Sequence, residues 1–217
     1  MNYTELHIFD FDGTLFRSPT NTPQNQAKYE KITGIPWIVS KEKSRELSKK
    51  LGKFVGMRSG WFGRPETLEP PLVADPAPSE WFIQEACEAL IQSKANSEAL
   101  TVILTGRHSG LKGQVLRICD QGNLVKVQNK KSKEGKSFYD VIDPNVICHF
   151  LGDSGPKPTE NKPNETLPWK LWIIEQYISI YPSINKIIFW EDREEHVENF
   201  KSLHGTLVEE VVVNHVI

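Results

Sequence analysis

The chain has 217 residues, a formal net charge of −2, 38% hydrophobic and 25% charged side chains. That size suits one substantial core with room for a small insertion, and the mixed composition excludes an intrinsically disordered chain. The near-neutral charge excludes a wholly basic surface, while a local basic patch stays compatible with it.

The opening MNYTELHIFDFDG lacks the basic start and unbroken apolar run of an export signal. No stretch reaches the roughly 18 apolar residues of a membrane span, so the expected location is cytoplasmic, with no membrane partner. Cys87, Cys119 and Cys148 are odd in number, far apart and set among apolar residues, which suits buried reduced thiols better than disulfides or zinc ligands.

In chain order, residues 6–11 read as a short strand that stops at Asp12-Gly13. Residues 17–78 break the pattern with a helix near 41–51 and a stretch rich in Gly, Pro and Trp, and form a candidate insertion. A helix over 80–92 places Phe82, Ala86, Ala89 and Leu90 on one face, with Ser79 as its N-cap. A strand at 100–104 and a helix at 111–118 follow. Residues 126–167 form a second candidate insertion, and its segment GDSGPKPTENKPNETLP reads as an exposed loop. A helix at 168–181 with proline in its first turn, a strand at 186–190, a helix at 194–203 and a strand at 207–213 complete the chain. Strands linked by helices predict a single α/β domain over 1–217, a sandwich around a mostly parallel sheet. Its functional groups gather at the carboxyl ends of the strands.

Four elements at such positions carry chemistry. In Asp10-Phe11-Asp12-Gly13-Thr14, strand alternation sends Asp10 and Asp12 to the same side while Gly13 lets the chain turn. Two convergent carboxylates suit a Mg²⁺ ion, attack on phosphorus and proton exchange, although Asp-Gly after a strand also suits a hairpin turn. In Leu104-Thr105-Gly106-Arg107, the Thr105 hydroxyl and the following N–H can hold phosphate oxygens, and Gly106 permits close approach. Arg107 suits bidentate contact with phosphate or, alternatively, a structural pair with a carboxylate. Lys170 begins a helix, where its cation would offset clustered negative charge; Lys157 and Lys162 compete for that part. Glu191-Asp192-Arg193 ends a strand, with Asp192 the better metal ligand and helix capping its rival role.

Together, strand-DFDGTL, strand-LTGR, a helix-start lysine and strand-EDR resemble, in order, the four motifs of the haloacid dehalogenase (HAD) superfamily. More narrowly, Trp61-Phe62-Gly63-Arg64-Pro65-Glu66, Leu68-Glu69-Pro70-Pro71, LTGR and EDREEHV resemble the HAD domain of Swiss Army Knife RNA repair-like proteins. LTGR and EDR are also similar to motifs of polynucleotide kinase-phosphatases, which remove 3′-phosphates from nucleic-acid ends. The resemblance implies a HAD-like Rossmannoid three-layer sandwich with small insertions and no assured large cap. It implies Asp10 as nucleophile, Asp12 as general acid and base, Thr105 and Lys170 as phosphoryl stabilisers, and Thr14, Gly106 and Arg107 as phosphate contacts. Around Mg²⁺ it sets Asp10, Asp12 through its backbone carbonyl, and Asp192, with Glu191 as a further candidate. Two departures stand out: Glu occupies the first acidic position of the fourth motif, and the third lacks a Phe-Lys pair. No kinase P-loop or ligase lysine motif is visible, so the chain is expected to be one part of any multi-activity repair system.

The implied function is Mg²⁺-dependent phosphomonoester hydrolysis through an aspartyl-phosphate, with RNA or DNA 3′-ends as candidate substrates. A nucleotide or small-metabolite phosphatase and a non-enzymic nucleic-acid-binding module are the rivals. Lys126, Lys130, Lys131, Lys133 and Lys136 read as a solvated loop before they read as a phosphate-binding tract. The tryptophans read as packing residues, and His108 and His196 as helix-surface residues.

Overall fold

The computed structural model describes residues 2–37, 40–52, 60–131, 137–153 and 166–217. In chain order its strands and α-helices are β1 (Glu5–Phe9), α1 (Pro23–Thr33), α2 (Lys41–Leu51), α3 (Gln84–Ala95), β2 (Ala99–His108), α4 (Lys112–Gln121), β3 (Val127–Lys131), β4 (Ser137–Val141), β5 (Ile147–Leu151), α5 (Leu167–Ile180), β6 (Lys186–Glu191), α6 (Glu194–Lys201) and β7 (Glu210–His215). The chain forms two compact units, Met1–Arg17 with Ala77–Ile217, and Ser18–Pro76.

In the first unit, five strands make a parallel sheet in the order β5-β2-β1-β6-β7, so the fold is α/β. Side-chain alternation builds its two faces. Leu6 and Ile8 of β1, Leu100, Val102 and Leu104 of β2, and Ile187 and Phe189 of β6 join Trp169, Ile173, Ile174 and Tyr177 of α5 and Phe200 of α6 in one apolar core. On the opposite face, α3 is tied to β2 by the Ser93 and Thr101 hydroxyls, 2.6 Å apart. The strand order reverses direction of growth at β1, where β2 lies on one side and β6 on the other. The ends of β1 and β6 therefore bound the crevice in which open α/β sheets bind ligands.

Most elements read from the sequence are present, with shifted ends. The helix expected over 80–92 begins only at Gln84: Ser79–Trp81 forms a 3₁₀ turn, and Phe82 makes an isolated bridge to Phe16, so Ser79 does not cap it. Within 126–167, β5 joins the central sheet as an edge strand, and β3 and β4 form an antiparallel ribbon, neither of which was foreseen. Lys133, Lys136, Lys157 and Lys162 lie outside the described residues, as does most of the Pro-rich loop.

In the second unit, Thr22 and Ser40 cap α1 and α2 through their hydroxyls. Tyr29, Trp37 and Trp61 cluster with ring centroids 5.1–6.0 Å apart, and the Trp61 indole N–H donates to the Pro19 carbonyl at 2.7 Å. Trp61 is thus a packing residue, as expected. Among the described residues no helix is long and apolar enough to cross a membrane.

Candidate active site

Asp10 extends the β1 ladder by one bond, its N–H donating to the Trp190 carbonyl at 3.0 Å. Its parity with Leu6 and Ile8 turns it toward the face covered by α5, whose first turn carries Lys170. The Lys170 Nζ stands 3.1 Å from Asp10 Oδ2 and 2.7 Å from Glu191 Oε2. The other Asp10 oxygen, Oδ1, accepts the Phe11 N–H at 2.8 Å. Lys157 and Lys162 being undescribed, Lys170 is the candidate lysine that the structure brings to Asp10.

Glu191 shares alternation with Ile187 and Phe189, the buried positions of β6. Both its oxygens are engaged: Oε2 with Lys170 and with His196 Nδ1 at 3.1 Å, Oε1 with the Arg193 N–H at 3.3 Å. His196 is 4% exposed and its Nε2 lies 3.5 Å from Thr166 Oγ1, which also accepts from Arg193 Nη1 at 3.3 Å. The surface role read for His196 is therefore corrected: it faces the core beside Phe200, one turn along α6. The available signal was the i, i+4 spacing of His196 and Phe200, which puts both on one face of the helix. His108, by contrast, is exposed and accepts the Gly110 N–H at 3.1 Å.

Asp12 faces a different cation. Arg107, 1% exposed, sends Nη2 to Asp12 Oδ1 at 2.7 Å and Nε to Oδ2 at 2.9 Å. Arg107 thus makes here the carboxylate pair read as its alternative to phosphate contact. Thr105, fully buried, accepts the Arg107 N–H through Oγ1 at 3.1 Å, leaving its proton for an acceptor. The Thr14 hydroxyl is buried and has no hydrogen-bond partner among the described residues.

Two glycines hold these strand ends close. Gly13 has φ +74°, and a Cβ there would collide with the Asp192 carboxylate. At Gly106 a Cβ would come within 2.6 Å of the Thr166 methyl.

The carboxylates differ sharply in proton affinity. Burial, opposed by Lys170 and reinforced by Glu191, Asp12 and Asp192, pushes Asp10 up to about 8. Burial and then Glu191 push Asp192 up to about 6. Glu191 is also penalised by burial, yet Lys170 and His196 hold it below the usual carboxylate range. Burial disfavours the Lys170 charge, but Asp10 and Glu191 more than restore it. Crowded acids with raised proton affinity mark a place where a cation or a proton is favoured.

The residues fit a divalent cation. Asp10, Glu191 and Asp192 each offer an oxygen within 4.8 Å of the others, and Asp192 Oδ1 is buried without a hydrogen-bond partner among the described residues. Both oxygens of Glu191 and both of Asp10 already have partners, so Asp192 is the best placed donor of the three. Oxygen donors of this kind suit Mg²⁺.

The model of the family described as HAD domain family 1 in Swiss Army Knife RNA repair proteins matches residues 44–216. An uncharacterized protein of Saccharomyces cerevisiae is 20% identical over 208 residues, covering 94% of this chain and 38% of the yeast protein. The chain thus spans well under half the length of that relative. No solved structure matches.

Proposed function

The chain belongs to HAD domain family 1 in Swiss Army Knife RNA repair proteins, and from that membership and the site's geometry we propose that it is a Mg²⁺-dependent phosphomonoesterase acting on the 3′-phosphorylated ends of RNA or DNA. The observation that carries the reading is the Asp10–Lys170–Glu191 ion chain beside Asp192 Oδ1, which has no hydrogen-bond partner among the described residues.

Asp10, the Asp12 backbone carbonyl and Asp192 would hold Mg²⁺, which when bound supplies charge neutralisation for phosphoryl oxygens. Asp10 attacks phosphorus through a carboxylate oxygen, forming an aspartyl-phosphate as the bond to the leaving oxygen breaks. Lys170, held by Glu191, keeps a positive charge at the attacking carboxylate and beside the incoming phosphoryl oxygens. Arg107 fixes the Asp12 carboxyl by two contacts, and Oδ2, which takes a single bond from Nε, is the oxygen that passes a proton to the leaving group. Asp12 then recovers a proton from the water that hydrolyses the acyl-phosphate. Splitting one displacement into two keeps each attack short-range and oriented. Thr14 and Thr105 supply hydroxyl donors to phosphate oxygens.

The test is phosphate release from matched 3′-phosphorylated RNA and DNA oligonucleotides, 5′-phosphorylated controls and free mononucleotides, with and without Mg²⁺. A Mg²⁺-dependent preference for the 3′-phosphorylated end is expected. Preference for free nucleotides would replace the polynucleotide substrate by a small one, and metal-independent release would remove the mechanism.

Asp192→Asn should separate metal binding from turnover. An ion that binds only the folded state at a hundred times its Kd adds about 2.7 kcal/mol, worth several degrees in a chain of this size. Saturating Mg²⁺ is therefore expected to raise the thermal midpoint of the wild type by roughly 5 °C or more and that of Asp192→Asn by much less. An equal shift in both proteins would take Asp192 out of the metal site.

A further inference from the structure

Resting on the phosphatase reading of the site, we infer that His196 is a positioning residue: by donating from Nδ1 to Glu191 Oε2, it holds the carboxylate that in turn holds Lys170 against Asp10. The contact is built by matched spacings on β6 and α6. Strand parity puts Phe189 and Glu191 on one buried face of β6, two residues and about 6.6 Å apart. The chain then folds back through α6, where His196 and Phe200 stand four residues, about 6 Å, apart on the buried face. Because the two spacings agree, Phe200 stacks on Phe189 with ring centroids 4.2 Å apart and planes within 5°. One step farther along both elements, His196 Nδ1 meets Glu191 Oε2 at 3.1 Å. At the far edge of the ring Nε2 lies 3.5 Å from Thr166 Oγ1, and Phe200 packs along its flank with centroids 6.0 Å apart.

An apolar side chain would pack beside Phe200 without the cost of burying an imidazole, so what the imidazole adds is a directed donor. Glu191 is held below the usual carboxylate range despite its burial, so its oxygens only accept. Nδ1 therefore carries a proton whether the ring is neutral or charged, and the contact does not depend on the ring's charge. Oε2 takes Lys170 Nζ from α5 at 2.7 Å and His196 Nδ1 from α6 at 3.1 Å, while Oε1 takes the Arg193 N–H at 3.3 Å. Glutamate has one more rotatable bond than aspartate, and these donors restrain it. The restraint matters because Glu191 offers an oxygen within 4.8 Å of those of Asp10 and Asp192. Without His196, Glu191 is free to turn toward a cation held there and to leave Lys170 without its anchor. A displacement of about 1 Å in such a group can cost up to about a hundredfold in rate.

The experiment uses the full chain and two readouts. One is turnover of p-nitrophenyl phosphate with Mg²⁺. The other, in EDTA, is the Lys170 ammonium signal in a proton–nitrogen correlation spectrum of lysine-labelled protein, assigned by its loss in Lys170→Met. His196→Asn places an amide N–H where Nδ1 stood, His196→Gln places one where Nε2 stood, and His196→Leu has neither. His196→Leu and His196→Gln are expected to lower turnover by about tenfold or more and to move the Lys170 signal, while His196→Asn stays within about threefold of the wild type and returns the signal. The comparison of His196→Asn with His196→Gln decides the matter should His196→Leu fail to fold. Unchanged turnover in His196→Gln, or losses in all three variants that simply follow their thermal midpoints, would overturn the positioning role. If the wild type releases no phosphate from any phosphomonoester, the phosphatase reading falls and the Lys170 signal decides alone: moved in His196→Gln and restored in His196→Asn, the placement of Lys170 by His196 stands, and unmoved, it falls.

Discussion

Replacing Asp10 by Asn is expected to lower phosphate release by about four orders of magnitude while leaving the protein folded. The carboxylate is nearly isosteric with the amide, so packing at the end of β1 survives, but the amide is a poor nucleophile and cannot form the acyl-phosphate. Activity of the purified variant within tenfold of the wild type would remove Asp10 from the chemistry.

The same substitution carries a stability signature with a defined sign. In metal-free protein, burial pushes the Asp10 carboxyl up to about 8, against an ordinary value near 4. Between those limits the folded state holds a proton that the unfolded chain has released, so this group's contribution makes stability fall as pH rises. Asp10→Asn lacks that term. In EDTA the variant's thermal midpoint should exceed the wild type's by a margin that widens from pH 4 to pH 8, and a constant margin would contradict it. Asp192, pushed up to about 6, acts in the same direction over a narrower window, and it is common to both proteins.

Lys170→Met is expected to damage both stability and turnover. The side chain is 1% exposed, contacts both Asp10 and Glu191, and neutralises the Glu191 carboxylate, which stays ionised where metal-free Asp10 keeps its proton. Removing one member of a buried ionic group leaves uncompensated charge, at a cost of about 3–5 kcal/mol. For a chain of this size that corresponds to a fall in thermal midpoint of roughly 10 °C. Phosphate release should drop by about two to three orders of magnitude, because the positive charge at the attacking carboxylate is lost. Adding Glu191→Gln removes the stranded Glu191 charge, so the double variant should recover part of the stability and none of the activity. A single variant that melts with the wild type would place Lys170 outside this ion chain, and one that retains turnover would limit it to a structural part.

The acidic motifs were legible because their signals are local. Apolar alternation marks the strands, and Asp-Gly, Thr-Gly and Glu-Asp mark the ends where side chains leave the sheet. Lys170 was ambiguous in the sequence because Lys157 and Lys162 share with it the stretch between β5 and β6. What distinguishes it is that α5 packs on the face shared by Leu6, Ile8 and Asp10, which sets its first turn against the end of β1. The helix start read at Ser79 failed for a related reason, since Phe82 is recruited by Phe16 across 66 residues of chain.

By itself, then, the sequence determined the α/β class, the order of the strands that carry chemistry and the identities of Asp10, Asp12, Thr105 and Asp192 as candidates. Each of these follows from hydrophobic period and turn chemistry within about ten residues, which any local window contains. Only the tertiary structure decided the pairings: Arg107 with Asp12 across 95 positions, Lys170 with both Asp10 and Glu191, and buried His196 behind them. Those partners are chosen by which strands lie side by side and by how little water reaches the crevice. In that setting a buried charge must find its opposite, whatever the distance along the chain.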